Sequence, residues 1–360
     1  MQHHEALELF LRTVVKVNGT DMLLTAGSGP LIRVDGALRP VAGQTPLDED
    51  MMGQLLQALL DKEQLHQLEA DRDLDFAFSY GPARFRGNAF FQRGQPAVAL
   101  RLMHNRIPSF DETGMPVPVQ RLIALKQGLI LFTGPTGSGK STSMATLVDA
   151  VNVTRACHII TLEDPIEYLH ENKTAVVNQR EIGIDALSFE RALRSALRED
   201  PDVVLVGEMR DPESIAITLT LAETGHLVLS SLHTNDAPQA LDRIVDVFPA
   251  DRQSQIRLQL SSVLSAVVAQ RLVPRIGGGL VAAYEVLIAT SAVSNLVREG
   301  KTRQLRNAMQ MGQADGNITL EMSLNHLVAS GIISHETAMA YAFVPHEIAP
   351  PPPPPLPPPR

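Results

Sequence analysis

The chain has 360 residues, enough for about two domains with their own cores, and its 44% hydrophobic and 20% charged content is that of a soluble globular protein. A net charge of −9 and a pI near 5.7 exclude a global attraction for nucleic acid or acidic lipid. The single cysteine, Cys157, excludes an intrachain disulfide framework and fits a reducing compartment; beside Ile159-Ile160 it reads as a buried small hydrophobe.

Glu5 to Val17 carries apolar residues at helical spacing: Leu7, Phe10, Leu11, Val14 and Val15. Strand-like pieces follow at Asp21–Thr25, Leu31–Val34 and Leu38–Val41, broken by Gly27, Gly29, Pro30 and Gly36. Leu47–Leu60 and Lys62–Leu68 read as helices, and Leu74–Phe78, Arg84–Phe91 and Ala97–Met103 alternate like strands. Residues 1–107 thus form a small α+β domain, and the Pro/Gly density of residues 108–118 is that of an interdomain linker.

From Val119 onward strands alternate with helices, which predicts a RecA-like α/β domain over residues 119–345. The expected strands are Leu129–Thr133, His158–Leu162, Val203–Val206 and Leu227–Ser230. Helices are expected after Lys140 and at Phe189–Arg198, Glu213–Ala222 and Ala237–Val247. Beyond Ala283–Leu287 the chain reads as mostly helical, at Val293–Arg298, Thr302–Met311, Leu320–Ala329 and His335–Tyr341. Residues 346–360 form a proline-rich tail. It reads as a disordered polyproline II end, with a docking peptide for an SH3-like partner as the alternative. No run reaches the 18 or so apolar residues of a membrane span, and the start lacks the basic and apolar regions of a signal peptide. A cytoplasmic protein is expected.

Gly134-Pro135-Thr136-Gly137-Ser138-Gly139-Lys140-Ser141-Thr142 fits the phosphate-loop pattern directly after an apolar strand. Its glycines let successive N–H groups face one anion, Lys140 adds a charge for the β/γ-phosphates, and Ser141 offers a hydroxyl to Mg²⁺. ATP and Mg²⁺ are the implied cofactors. Hydrolysis also needs a carboxylate. Asp202–Glu208 is an apolar strand ending in Glu208, which is expected to face the phosphate loop from the neighbouring strand and hold the metal through water. Glu163, at the end of Ile159–Glu163, is the candidate to orient or deprotonate water. Each carboxylate alone reads equally as a helix cap or a solvated loop charge.

His226 and His233 flank the strand Leu227–Ser230. Strand-end histidines are commonly structural, yet His233, and less strongly His226, is placed to sense the γ-phosphate. Arg191, Arg194 and Arg198 share one helical stripe. They form either a solvated face relieved by Glu190 and Glu199 or an anion site, for instance for a nucleotide bound on the adjacent subunit. Arg84, Arg86, Arg93 and Arg101 are similarly numerous for the first domain.

The segments GPTGSGKST, IITLEDPIEY, ALREDPDVVLVGEMRDPESI and AETGHLVLSSLHTNDA closely resemble those of the secretion ATPase superfamily. Within it they are most similar to the retraction ATPases of type IV pili, the PilT/PilU group, from about Gly19 to Glu347. The resemblance implies a PAS-like N-terminal domain, a linker, and a RecA-like P-loop NTPase domain with C-terminal helices, assembled as a homohexamer. It places the catalytic glutamate on Glu163, the Walker B glutamate on Glu208 and the His-box histidines on His226 and His233. Arg86 and Arg101 match N-terminal-domain arginines that reach the nucleotide, and Arg194 and Arg198 match Asp-box arginines.

The implied activity is an ATPase motor for pilus retraction, peripheral at the cytoplasmic face of the inner membrane. Its implied partners are a membrane platform protein and a paralogous retraction ATPase. One cysteine rules out the four-cysteine zinc motif usual in assembly and type II secretion ATPases. Ala292 to Glu299 reads AVSNLVRE against the AIRNLIRE of retraction ATPases, with Ser294 where arginine is usual. The alternatives are an assembly or secretion motor, an accessory retraction paralogue, or a RecA-like nucleic-acid translocase. The acidic charge and the lack of an aromatic-basic strip argue against the last.

Overall fold

The computed structural model describes residues 2–17, 19–34, 37–81, 83–103 and 106–350, and the chain divides into two units, Met1–Arg106 and Ile107–Arg360. Residues 351–360 of the expected tail lie outside the described residues.

In the first unit, α1 (Gln2–Lys16) buries Leu7, Phe10, Leu11 and Val14, the stripe that helical periodicity brings to one face. Next come β1 (Asp21–Thr25), β2 (Leu31–Val34), β3 (Ala37–Pro40), α2 (Glu49–Leu59) and α3 (Lys62–Asp71). β4 (Asp73–Tyr80), β5 (Ala83–Gln92) and β6 (Gln95–Met103) complete the unit. Asp48 and Asp61 cap α2 and α3 by accepting from Met51 and Gln64 N–H groups. The strands pair antiparallel in the order β3-β2-β1-β6-β5-β4. Their alternation sends Met22, Leu24, Phe85, Ala89 and Leu100 to a core shared with α1 and α2. The opposite face carries exposed Arg86 and Arg101, which are direct cross-strand partners. This is the α+β layer expected of a PAS-like domain.

The second unit opens with two short helices, α4 (Phe110–Thr113) and α5 (Val117–Gln120). The doubly wound part is β7 (Gly128–Thr133), α6 (Lys140–Thr154), β8 (His158–Glu163), β9 (Val176–Glu181), α7 (Phe189–Ala196), β10 (Val203–Val206), α8 (Pro212–Glu223), β11 (Leu227–Leu232) and α9 (Ala237–Asp246). Then come α10 (Ala250–Val263), β12 (Leu264–Pro274), β13 (Leu280–Ile288), α11 (Ser291–Arg298), α12 (Leu305–Met311), α13 (Leu320–Ala329) and α14 (His335–Tyr341). The sheet order is β13-β12-β7-β11-β10-β8-β9, parallel throughout except for β13. Both faces are covered: Leu129 and Leu131 of β7 enter one apolar layer, Ile130 and Phe132 the other.

Several expectations are corrected. Residues 108–118, read as an interdomain linker, carry local structure of their own. Ser109 and Glu112 close a capping box on α4, Thr146 Oγ1 donates to Pro108 O at 3.0 Å, and Met115 is buried. The ordered chain also continues past residue 345. Ile348 is buried, Glu347 takes hydrogen bonds from Arg306 and Gln310, and Ala349 N–H donates to Asn325. Cys157 is partly exposed, not buried. Strands β9 and β12 were absent from the sequence reading.

Candidate active site

The carboxyl ends of β7, β8, β10 and β11 share one edge of the sheet because the strands are parallel. On that edge β7 runs into residues 134–142, and α6 begins at Lys140. Gly134, at φ 146°, must lack a side chain, since a Cβ there would meet Gln270 O at 2.3 Å and Ser138 Oγ at 2.7 Å. The first turn of α6 has no side-chain cap and no acidic residue, so its leading N–H groups face outward as an anion site. Ser138 Oγ is buried without a hydrogen-bond partner in that same loop.

Lys140 donates to Gly134 O at 2.8 Å and Pro135 O at 3.2 Å, so two loop carbonyls hold its ammonium within the phosphate loop. Burial lowers its pKa, opposed by the charges of Glu208 and Glu167. These residues fit a triphosphate. They also fit Mg²⁺, since the Ser141 hydroxyl follows Lys140 directly and the Glu208 carboxylate is joined to Lys140 through His233, both of them the hard oxygen donors that this ion takes. The ion would be held by Ser141, by Glu208 through water and by phosphate oxygens, the usual manner for nucleotide-bound magnesium.

The expected neighbour relation is corrected here. β11, not β10, lies beside β7, so Glu208 reaches the phosphate loop across one intervening strand. His233, just past β11, spans that gap. Its Nδ1 lies 3.4 Å from Lys140 Nζ and its Nε2 3.2 Å from Glu208 Oε1. An ammonium can only donate, which assigns Nδ1 as acceptor and Nε2–H as donor to Glu208. Thr133 fixes the loop, donating to Thr234 O at 2.7 Å and accepting from Thr234 N at 3.0 Å. The other Glu208 oxygen accepts from Arg210 Nε at 3.0 Å, and Arg210 Nη1 lies 4.0 Å from Asp164. A continuous polar chain therefore runs Lys140–His233–Glu208–Arg210–Asp164.

Glu163 ends β8, beside β10, and Gly207 permits the close approach: a Cβ at 207 would meet Leu162 O at 3.1 Å. Thr161 Oγ1 donates to Glu163 Oε1 at 2.6 Å and Gln179 Nε2 to the same oxygen at 3.3 Å, while Oε2 meets only the Glu167 N–H, at 3.5 Å. Burial pushes the Glu163 carboxyl up to about 7, against the pull of these donors, and the charge of Glu167 adds to the rise. A carboxylate of that basicity is poised to take a proton from water near neutral pH.

Other candidates stand elsewhere. His226 lies at the opposite end of β11, about 20 Å from His233 at strand rise; its ring nitrogen Nδ1 sits 2.8 Å from Leu221 O and secures the α8–β11 turn. Within its own chain it joins no catalytic group. Exposed Arg194 pairs with Glu190 and Glu213, and Arg198 donates to Arg194 O at 3.0 Å. Neither reaches residues 134–142 of the same chain. Arg101 pairs with Asp21 at 2.8 Å and Arg86 with Asp75 at 3.9 Å on the first unit.

Thr161, Gln179, Arg210 and Gln270 escaped the sequence reading. Thr161 was findable, because residues two apart in a strand share a face. Gln179 and Gln270 lie on β9 and β12, the strands that were missed. Gln270 accepts from Ser143 of α6 at 2.8 Å and so supports the loop from behind.

A phosphate loop, a carboxylate one strand removed and a second carboxylate on the next strand define a RecA-like ATP hydrolase. The type II/IV secretion system protein family matches residues 33–278, and the chain belongs to that family. It is 46% identical over 92% of its length, and 96% of the relative's, to the type IV pilus retractation ATPase PilT of Pseudomonas aeruginosa. The type IV pilus ATPase PilU of the same organism is 40% identical over 93% of this chain and 88% of its own. A crystal structure of the pilus retraction motor PilT with bound ADP superposes at a TM-score of 0.89 with 45% identity, covering 95% of this chain and 98% of that one. No described helix is long and apolar enough to cross a membrane.

Proposed function

We propose that the chain is a Mg²⁺-dependent ATPase motor that powers type IV pilus retraction as a homohexamer. The observation that carries the reading is the chain Lys140–His233–Glu208 beside Glu163, on the edge where the phosphate loop opens. Magnesium would supply charge neutralisation across the β- and γ-phosphates. The residues do the rest. The α6 N-terminus and Lys140 would bind the phosphates, Ser141 and Glu208 would hold the metal, and Oε2 of Glu163 would accept the proton of the attacking water. His233, donating to Glu208 and accepting from Lys140, is placed to register loss of the terminal phosphate.

Arg86 and Arg101 of the first unit, with Arg194 and Arg198, are proposed to act on the nucleotide of an adjacent protomer, as trans arginines do in ring ATPases. The ring is proposed to work at the cytoplasmic face of the inner membrane on a pilus platform protein, so that subunits leave the fibre. An accessory role is the second reading. Ser294, on α11, stands where retraction ATPases carry arginine, and the chain is also similar to PilU, at 40% identity against 46% for PilT. Deletion separates these outcomes. Loss of a main motor leaves more surface fibres and no retraction, rescued by wild type and not by Lys140→Ala. Unchanged fibre numbers and retraction would overturn the main-motor reading.

A further inference from the structure

Gln179 lies on the edge strand β9, paired in register with Thr161. Its amide is fully used. Oε1 accepts from the His170 N–H at 2.7 Å, while Nε2 donates to Tyr168 O at 2.8 Å and to Glu163 Oε1 at 3.3 Å. The backbone partners fix its orientation, since a flipped amide would set its oxygen against the Tyr168 carbonyl. The same Tyr168 is buried, and its hydroxyl lies 2.8 Å from Thr142 Oγ1, next to the metal-binding candidate Ser141. A structural account of the 164–175 loop needs only the two backbone bonds; it leaves the third, to the carboxylate, without a purpose.

We propose that Gln179 is a positioning residue for the general base, and that Tyr168 links this clamp to the phosphate loop. The inference rests on the reading of Glu163 as base. Two donors, from Thr161 and Gln179, occupy Oε1 and leave Oε2 with only the long contact from the Glu167 N–H at 3.5 Å, so that Oε2 is the oxygen free to take a water proton. The charged group acting on Glu163 is Glu167 of the same loop; its β8 and β9 partners, Thr161 and Gln179, do not titrate. Movement of Thr142 as the loop closes on phosphate would pass through Tyr168 to the Gln179 amide and so to the carboxylate.

The test uses the full-length chain with Gln179→Met, Tyr168→Phe and Glu163→Gln, measuring Mg-ATP turnover from about pH 5.5 to 9 and affinity for a fluorescent ATP analogue. Gln179→Met is expected to lower kcat and kcat/KM together by about tenfold, with analogue affinity held within about twofold. The acid limb of kcat/KM should move upward, because Glu163 loses a donor that favours its ionised form. Tyr168→Phe should move kcat in the same direction by less. A Gln179→Met protein that binds nucleotide with an unmoved limb and unchanged kcat overturns the clamp. If that variant does not fold, Tyr168→Phe decides: wild-type kcat and pH profile overturn the proposal. Turnover by Glu163→Gln would sink the base assignment itself, whereas inactive Glu163→Gln with unmoved Gln179→Met sinks the clamp alone.

Discussion

At the residue scale, a base that takes a proton from water works best with a pKa close to the ambient pH. Burial brings the Glu163 carboxyl to about 7. Below that value the group is protonated in the free protein, so kcat/KM should fall by about tenfold per pH unit on the acid side. A nearby cation favours the charged carboxylate, so the acid limb of kcat should lie lower than that of kcat/KM. Matched limbs in both parameters would show that Glu163 does not feel the bound metal. Glu163→Gln should cut turnover by about 10²–10⁴-fold and leave binding of the nucleotide analogue nearly intact. Lys140→Ala should lose both, because it removes the ammonium that Gly134 O and Pro135 O position within the phosphate loop. Isothermal titration with ATP and a phosphate-release assay distinguish the two variants. Much of this site was legible, since the phosphate loop, Glu163 and Glu208 announce themselves by spacing after apolar strands. His233 was also placed on the right edge, but its bridge from Lys140 to Glu208 depends on a strand order that no local pattern encodes.

At the scale of elements, the readable strands were those bounded by turn residues. β12 follows α10 without a break: Val263 ends the helix and Leu264 starts the strand, so no glycine or proline marks the change of period. β9 is an edge strand whose last four residues are Asn178-Gln-Arg-Glu181, too polar for a buried-strand pattern. The proline-rich segment before β7 holds short helices that its composition hides, because proline is also tolerated in a helix's first turn, as Pro118 is in α5. β13 carries a further consequence. Glu285 is 4% exposed and accepts from the Ala237 N–H at 2.8 Å, where α9 begins. Burial pushes its carboxyl up to about 7, with Asp236 and Glu321 adding to the rise. The folded state thus holds a proton that the unfolded chain releases near its ordinary 4.5. The stability this gives is present below that value and is lost as pH rises through about 7. Glu285→Gln keeps an acceptor for Ala237 and removes the buried charge. It should raise Tm at pH 8, by up to about 3 kcal/mol of stability, and match wild type near pH 5. Calorimetry at the two pH values checks this, and equal Tm differences at both would contradict it.

At the scale of the whole molecule, Arg86 and Arg101 pose an electrostatic question. They stand directly opposite each other across β5 and β6, and like charges in that relation destabilise a sheet. Asp75 and Asp21 relieve them at 3.9 and 2.8 Å, yet both guanidiniums remain exposed. A surface arranged this way costs stability within the unit and is explained if an anion from another protomer completes it. Arginines supplied in trans to a nucleotide contribute about 10³–10⁵ in turnover where they act. Arg101→Ala should therefore bind ATP normally, assemble normally and hydrolyse at least about a hundredfold more slowly. Mixing supplies the decisive readout. Inactive Arg101→Ala protomers combined with inactive Glu163→Gln protomers should regain activity at interfaces that pair an intact arginine with an intact base, and native mass spectrometry should find mixed six-membered rings. If each variant stays dead in every mixture while mixed rings form, the arginine acts within its own chain.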